Sequence, residues 1–173
     1  MVEKIVEAKD CSAEELAIKE INTGIFCFKT SKLFDGLKEI TTNNAQNEYY
    51  LTDLVEIFHK HNEKVNAMIV DDAEETMGVN DRVDLAKANS WMKKYINHKH
   101  MLNGVTILDP DNTYIDADVE IGEDTTIYPN VHLQGNTKIG SHVTILPNSF
   151  LRNALIEDGV TIDSSKIVES KVG

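Results

Sequence analysis

Ile115, Ile121, Ile127, Leu133, Ile139, Ile145 and Leu151 recur every six residues, and Val119, Thr125, Val131, Thr137, Val143 and Ser149 repeat the beat four positions later. A period of six fits neither the ~3.6 of a helix nor the ~2 of a flat strand. It suits a coil of three short faces, each turning in one large aliphatic residue and one small one: a hexapeptide β-helix. Gly122 and Gly140 follow Ile121 and Ile139, where the chain is expected to turn a corner and a side chain is least welcome. After Leu151 the beat slips to Ile156 and is expected to resume as Ile156, Ile162 and Val168.

Charge and cysteine content narrow the function. Acidic residues outnumber basic ones 29 to 17, for a net charge of −12. Duplex phosphates need a clustered positive field, so no nucleic acid partner is expected. Cys11 and Cys27 are two isolated thiols with no CxxC, which suggests neither a disulfide framework nor a zinc site. No apolar run approaches the length of a membrane span and Met1 to Lys9 carries no cleavage pattern, so a cytoplasmic setting is expected.

The residues before the repeats read as mixed α/β. Val2 to Glu7, Ile21 to Phe28 and Val65 to Val70 have strand-like composition. Ser12-Ala-Glu-Glu15 reads as a capping box. Helices are expected over Thr30 to Ile40, Leu51 to His61 and Asp81 to Asn97. The last is amphipathic, with Leu85, Ala88, Met92 and Tyr95 or Ile96 on its expected packing face, and Thr106 to Asn112 leads through a Pro110 turn into the first coil. No Gly-rich nucleotide loop precedes the opening strand, and no atypical capping segment follows the repeats at Val172-Gly173. The sequence is therefore expected to be part of a longer architecture.

Several polar residues have plain readings. Glu7 alone reads as a solvated strand residue, Asn22-Thr-Gly24 as a turn, and Asn80-Asp81 as a helix N-cap. His59-Lys-His61 diverges on a helix, and His98-Lys-His100 is no better a metal pair unless it lies in a strand. His132 and His142 fall at outward positions of the repeat, and Cys27, between Phe26 and Phe28, reads as a core residue.

Four motifs nevertheless resemble one family. Ile5-Val-Glu-Ala-Lys-Asp10, Glu20-Ile-Asn-Thr-Gly-Ile25, Asn44-Ala-Gln-Asn-Glu-Tyr-Tyr-Leu-Thr-Asp53 and Gly78-Val-Asn-Asp-Arg82, followed by a helix and hexapeptide repeats, look like the bifunctional N-acetylglucosamine-1-phosphate uridyltransferase and glucosamine-1-phosphate acetyltransferase. The resemblance covers essentially the whole chain and corresponds to the middle of that enzyme. It implies an α/β, Rossmann-like partial nucleotidyltransferase domain followed by a left-handed hexapeptide β-helix. Residues 1–80 would be the C-terminal part of the uridyltransferase domain, 81–104 a linking helix and connector, and 105–173 the first coils of the acetyltransferase β-helix.

The same resemblance implies a site. Glu7 and Asn22 would hold the N-acetylglucosamine moiety, Tyr50 and Thr52 would line its pocket, and Asn80 would contact both the nucleotide sugar and Mg²⁺. A carboxylate and a carboxamide match sugar hydroxyls and an acetamido group, and an amide oxygen is a suitable hard ligand for Mg²⁺. The implied ligands are UTP, N-acetylglucosamine-1-phosphate and UDP-N-acetylglucosamine, with acetyl-coenzyme A as co-substrate at the acetyltransferase site, and the implied assembly is a homotrimer. The nucleotide loop and the acetyltransferase's catalytic histidine are expected outside these 173 residues, so the chain alone is expected to be inactive. A pyrophosphorylase for another sugar, or a β-helix acting only in oligomerisation, are the competing readings.

Overall fold

Twelve short strands wind into a three-sided parallel solenoid of the left-handed β-helix type in a computed structural model that describes residues 2–173. The first side stacks β1 (Thr106–Ile107), β4 (Thr126–Ile127), β7 (Thr144–Ile145) and β10 (Thr161–Ile162). The second stacks β2 (Thr113–Ile115), β5 (Val131–Gln134), β8 (Phe150–Arg152) and β11 (Lys166–Val168). The third stacks β3 (Glu120–Ile121), β6 (Lys138–Ile139), β9 (Leu155–Ile156) and β12 (Lys171–Val172). Every pairing is parallel, and like residues sit above like: Ile107, Ile127, Ile145 and Ile162 form one inward stack, and Ile115, Leu133, Leu151 and Ile167 another.

The two registers of the beat divide the interior between them. The large aliphatics fill the axis, with Ile127, Leu133, Ile145 and Leu151 fully buried. Each removes a side chain from water, an effect worth ~1.5–3 kcal/mol before entropic costs. The small register closes the corners, and its buried hydroxyls are hydrogen-bonded. Thr125 Oγ1 donates to the Gly140 carbonyl at 2.9 Å and accepts the Val143 N–H at 3.1 Å. Thr137 donates to Gln134 O at 2.7 Å and accepts from Ala154 N at 3.3 Å. A valine fits such a corner, but only a hydroxyl also satisfies main-chain groups of the adjoining coil.

Two details of the repeat depart from expectation. The inward residue of β11 is Ile167, which pairs with Leu151, while Val168 pairs with Arg152. The beat therefore loses a residue again after Ile162, because ladder pairing rather than residue count sets which side chain points in. The left-handed backbone of the corners also lies two residues beyond Gly122 and Gly140, at Asp124 (φ 61°) and His142 (φ 59°), with Asn130, Asn148 and Asn153 filling equivalent places on the other corners. Asn and Asp tolerate that conformation better than other side chains. Gly122 stands where a side chain is least welcome, as read: a Cβ there would lie 2.6 Å from the main chain of Gly140 and Ser141 in the next coil.

The chain divides into two compact units, Met1–Gly78 and Val79–Gly173. The second opens with α4 (Arg82–Leu102), five residues longer at its C-terminus than the sequence indicates. Asp81 caps it by accepting the Asp84 N–H at 2.8 Å. Its packed face is Lys93, Ile96, Asn97 and His100, whereas Leu85, Met92 and Tyr95 are exposed. The face is selected by a polar anchor: the fully buried Asn97 donates through Nδ2 to the carbonyls of Pro110 (2.9 Å) and Thr113 (3.1 Å), leaving its Oδ1 buried without a partner. Lys93 donates to the Asp111 carbonyl, and its ammonium lies 5.0 Å from the Tyr114 ring centroid. Trp91 stacks on Tyr95 with centroids 5.5 Å apart.

The first unit contains α1 (Ala13–Leu16), α2 (Thr30–Gly36) and α3 (Asp53–Lys60). The capping box forms as read: Ser12 Oγ accepts the Glu15 N–H at 3.2 Å, and Glu15 accepts the Ser12 N–H at 2.8 Å. The three expected strands do not form among the described residues. A strand exists only through a partner's ladder, and none runs beside residues 2–7, 21–28 or 65–70. Accordingly Ile21 is 84% exposed and Met68 88%. Cys27 is exposed rather than core, because Phe26 and Phe28 turn the other way, stack at 5.5 Å, and Phe28 meets Phe58 of α3 edge-on at 6.0 Å. The buried centre of the unit is Ile40, Thr52, Leu54 and Val55.

Candidate functional site

Side-chain hydrogen bonds knit residues 7–10 to residues 45–52 in the first unit. Thr52, immediately before α3 and 7% exposed, donates its Oγ1 hydroxyl to Glu7 Oε1 at 3.0 Å. Asp10 Oδ1 accepts the Ala45 N–H at 2.8 Å. Lys9 Nζ donates to Gln46 Oε1, and Gln46 Nε2 donates to the Tyr50 hydroxyl oxygen at 2.7 Å. The intervening loop is held locally by Asn44, whose Oδ1 accepts the N–H groups of Gln46 (3.1 Å) and Glu48 (3.2 Å). Asn47, in the left-handed region at φ 54°, lets it turn.

The electrostatics are acidic. Burial, then the negative charges of Glu56, Glu7 and Asp10, push the Asp53 carboxyl above its usual range. Asp53 and Glu56 both stand in the first turn of α3, where a helix N-terminus tolerates them. With Thr52 bound to one oxygen of Glu7, the carboxylate keeps acceptor capacity for a hydroxyl donor. Tyr50 has accepted one hydrogen bond and keeps a proton to donate.

The five residues singled out from the sequence fall into three places. Glu7 and Thr52 share one hydrogen bond, and Tyr50, two residues before Thr52, takes part in a second link between the same two segments, through Gln46 to Lys9. Asn22 is exposed and closes its own turn, accepting the Gly24 N–H at 3.2 Å, with Gly24 at φ 77°. Asn80 is exposed and belongs to the second unit, one residue before the Asp81 cap. Lys9, Asp10 and Gln46 escaped sequence reasoning as individual residues. The available signal was the alternation of Glu7 and Lys9 in one segment with Tyr50 and Thr52 in the other, a spacing of two on both sides.

The histidines sort by environment. His61 Nε2 lies 3.2 Å from Glu39 Oε2 on the surface, and His98 is exposed while His100 is buried, so neither pair converges. Burial, then the charge of Lys99, lowers the His100 pKa from the usual 6.5. His132 is half-buried in an outward ladder on the second side of the solenoid, stacked at 4.5 Å on Tyr114 and 6.4 Å from Phe150. Among the described residues no group of three or more His, Cys, Asp and Glu is arranged to hold a metal. No helix among them is long and apolar enough to cross a membrane.

Residues 118–153 match the family described as bacterial transferase hexapeptide (six repeats). The chain is 52% identical over 173 residues to a protein named bifunctional protein GlmU from Clostridium botulinum (strain 657 / Type Ba4), covering 100% of this chain and 38% of that protein. It is 56% identical over 172 residues to the protein of the same name from Clostridium perfringens (strain ATCC 13124), covering 99% of this chain and 38% of the relative. A third, from Acetivibrio thermocellus, is 53% identical over 171 residues, covering 99% and 37%. The chain thus spans about 38% of the length of the curated relatives it matches. The chain is, along essentially its whole length, a homologue of the proteins named bifunctional protein GlmU, and residues 118–153 of its solenoid match the bacterial transferase hexapeptide repeats.

Proposed function

We propose that this chain is part of an enzyme that makes UDP-N-acetylglucosamine, by acetyl transfer to glucosamine-1-phosphate followed by uridylyl transfer from UTP. In the second reaction a phosphate oxygen of N-acetylglucosamine-1-phosphate attacks the α-phosphate of UTP. A new P–O bond forms there, the bond to the β-phosphate breaks, and pyrophosphate leaves. Such a transfer needs alignment and charge neutralisation more than a protein nucleophile.

The first unit would supply the sugar side of that site, as part of a nucleotidyltransferase domain. The observation that carries this reading is the Thr52 to Glu7 hydrogen bond, which joins two of the four family motifs and fixes a carboxylate, while Tyr50, two residues before Thr52, keeps a hydroxyl proton to donate. Glu7 would accept from a sugar hydroxyl, Tyr50 would donate to the sugar, and Thr52 would orient Glu7. Asn22, exposed beside Gly24, would complete the sugar contacts.

Asn80 offers one exposed carboxamide oxygen, a hard donor that fits Mg²⁺ as a single ligand, the remaining positions falling to phosphate oxygens and water. Bound magnesium would neutralise phosphate charge. The solenoid would form the first coils of the acetyltransferase domain, whose co-substrate is acetyl-coenzyme A, and would associate as a homotrimer in a cytoplasmic enzyme. The 173-residue chain by itself would catalyse neither reaction.

The test is pyrophosphate release with UTP, Mg²⁺ and either N-acetylglucosamine-1-phosphate or glucose-1-phosphate. The protein of full family length should turn over the acetamido sugar preferentially, and the isolated chain should release none. Absence of turnover by the longer protein, or equal use of glucose-1-phosphate, would overturn the assignment.

A further inference from the structure

Tyr50 stands at the end of a hydrogen-bond relay whose direction is fixed by chemistry. Lys9 carries only donors, so the oxygen of the Gln46 carboxamide must face it. That orientation leaves Nε2 toward Tyr50, 2.7 Å from its hydroxyl oxygen, and an amide N–H can only donate. The Tyr50 hydroxyl is therefore an acceptor toward Gln46, and its own proton is directed elsewhere. Donation along a chain that begins at an ammonium polarises each successive group, so the terminal O–H is a stronger donor than a free phenol. Gln46 and Tyr50 are both half-buried, which limits competition from water.

We propose that Lys9 and Gln46 are positioning residues that set Tyr50 as a hydrogen-bond donor to a carbonyl oxygen of the substrate. Resting on the function proposed above, the group this selects is the acetamido carbonyl of N-acetylglucosamine-1-phosphate, which glucose-1-phosphate lacks. Glu7, acceptor-only and held by Thr52 two residues along from Tyr50, provides the complementary half for a hydroxyl. The two pairs divide the recognition: one fixed acceptor for the hydroxyl every hexose carries, and one fixed donor for the amide that distinguishes this one.

Gln46→Glu tests the relay with little change of shape. The substituted carboxylate still pairs with Lys9, but it can only accept, so the Tyr50 proton turns toward it and away from the substrate. In the enzyme of full family length, KM for N-acetylglucosamine-1-phosphate should rise about tenfold with kcat within about twofold, the loss of one hydrogen bond to a neutral group. KM for glucose-1-phosphate should be unchanged.

In a Tyr50→Phe background, Gln46→Glu should have no further effect, which a merely structural disturbance would not reproduce. Lys9→Met, which frees the carboxamide to rotate, should weaken selectivity in the same direction. A Gln46→Glu enzyme with unchanged selectivity, or one whose loss persists in the Tyr50→Phe background, overturns the relay while leaving the function standing. An unmodified enzyme with no turnover of the acetamido sugar overturns both.

Discussion

Asn97 on α4 reaches the Thr113 carbonyl oxygen at 3.1 Å, so one carboxamide ties the helix to the first coil of the solenoid at the place where the chain enters it. The same Nδ2 also serves Pro110 at 2.9 Å. Asn97→Asp replaces this donor by an ionisable group that can only accept while charged, in a fully buried position facing two carbonyls. The expected cost is at least about 2 kcal/mol, read as a lower urea midpoint. Trp91, the chain's single tryptophan, lies on the same helix and is a direct fluorescence reporter.

Gly122→Ala is expected to destabilise the solenoid by about 1–3 kcal/mol, because the added methyl meets main-chain atoms of the next coil at 2.6 Å and cannot be relieved by a rotamer change. Gly24→Ala tests a different cost: nothing lies within 4 Å, but φ is 77°. Its expected loss, smaller at about 1 kcal/mol, is confined to the first unit. Thermal unfolding of the two variants distinguishes a clash from backbone strain.

Thr52→Val keeps shape and removes the hydroxyl that holds Glu7. The first unit should lose about 1 kcal/mol in denaturant titration. In the protein of full family length, KM for the sugar phosphate should rise about threefold or more, since an unheld carboxylate must be ordered on binding. Thr52→Ser, which retains the donor, should recover most of that loss.

Stability of the second unit should fall on mild acidification through His100. Its folded pKa is depressed by burial and by Lys99, so the unfolded chain binds the proton first. Stability is then complete above the unfolded value of about 6.5 and declines as pH falls from there toward the lower folded pKa. Urea midpoints at descending pH should show this slope in the native protein and a shallower one in His100→Gln.

The solenoid was legible because its period belongs to no other regular structure. Ile127, Leu133 and Ile145 are inward as the beat requires. What escaped was Ile167 in place of Val168, since a shortened corner is invisible until the ladder aligns it with Leu151. Gly122 marked a close approach rather than the left-handed turn, which Asp124 carries.

On α4, counting apolar residues favoured Leu85 and Met92, yet packing follows Asn97, whose value lies in two carbonyls of a distant loop. In the first unit the strand readings failed at Ile21 and Met68 because composition reports propensity and pairing is non-local. Glu7, Tyr50 and Thr52 were reachable only through motif resemblance. The part played by Gln46 emerged only from its bond to Tyr50.

The parallel ladders have a kinetic consequence. Parallel sheets ordinarily fold slowly because their strands are joined across long stretches of chain. Here each strand finds its partner one turn away, from Thr106 to Thr126 at the widest and from Phe150 to Lys166 at the narrowest. The closure entropy of a new rung is therefore nearly the same wherever it is added. Such a unit can grow by zippering from any formed turn, and its folding rate is set by the first rung rather than by the number of rungs.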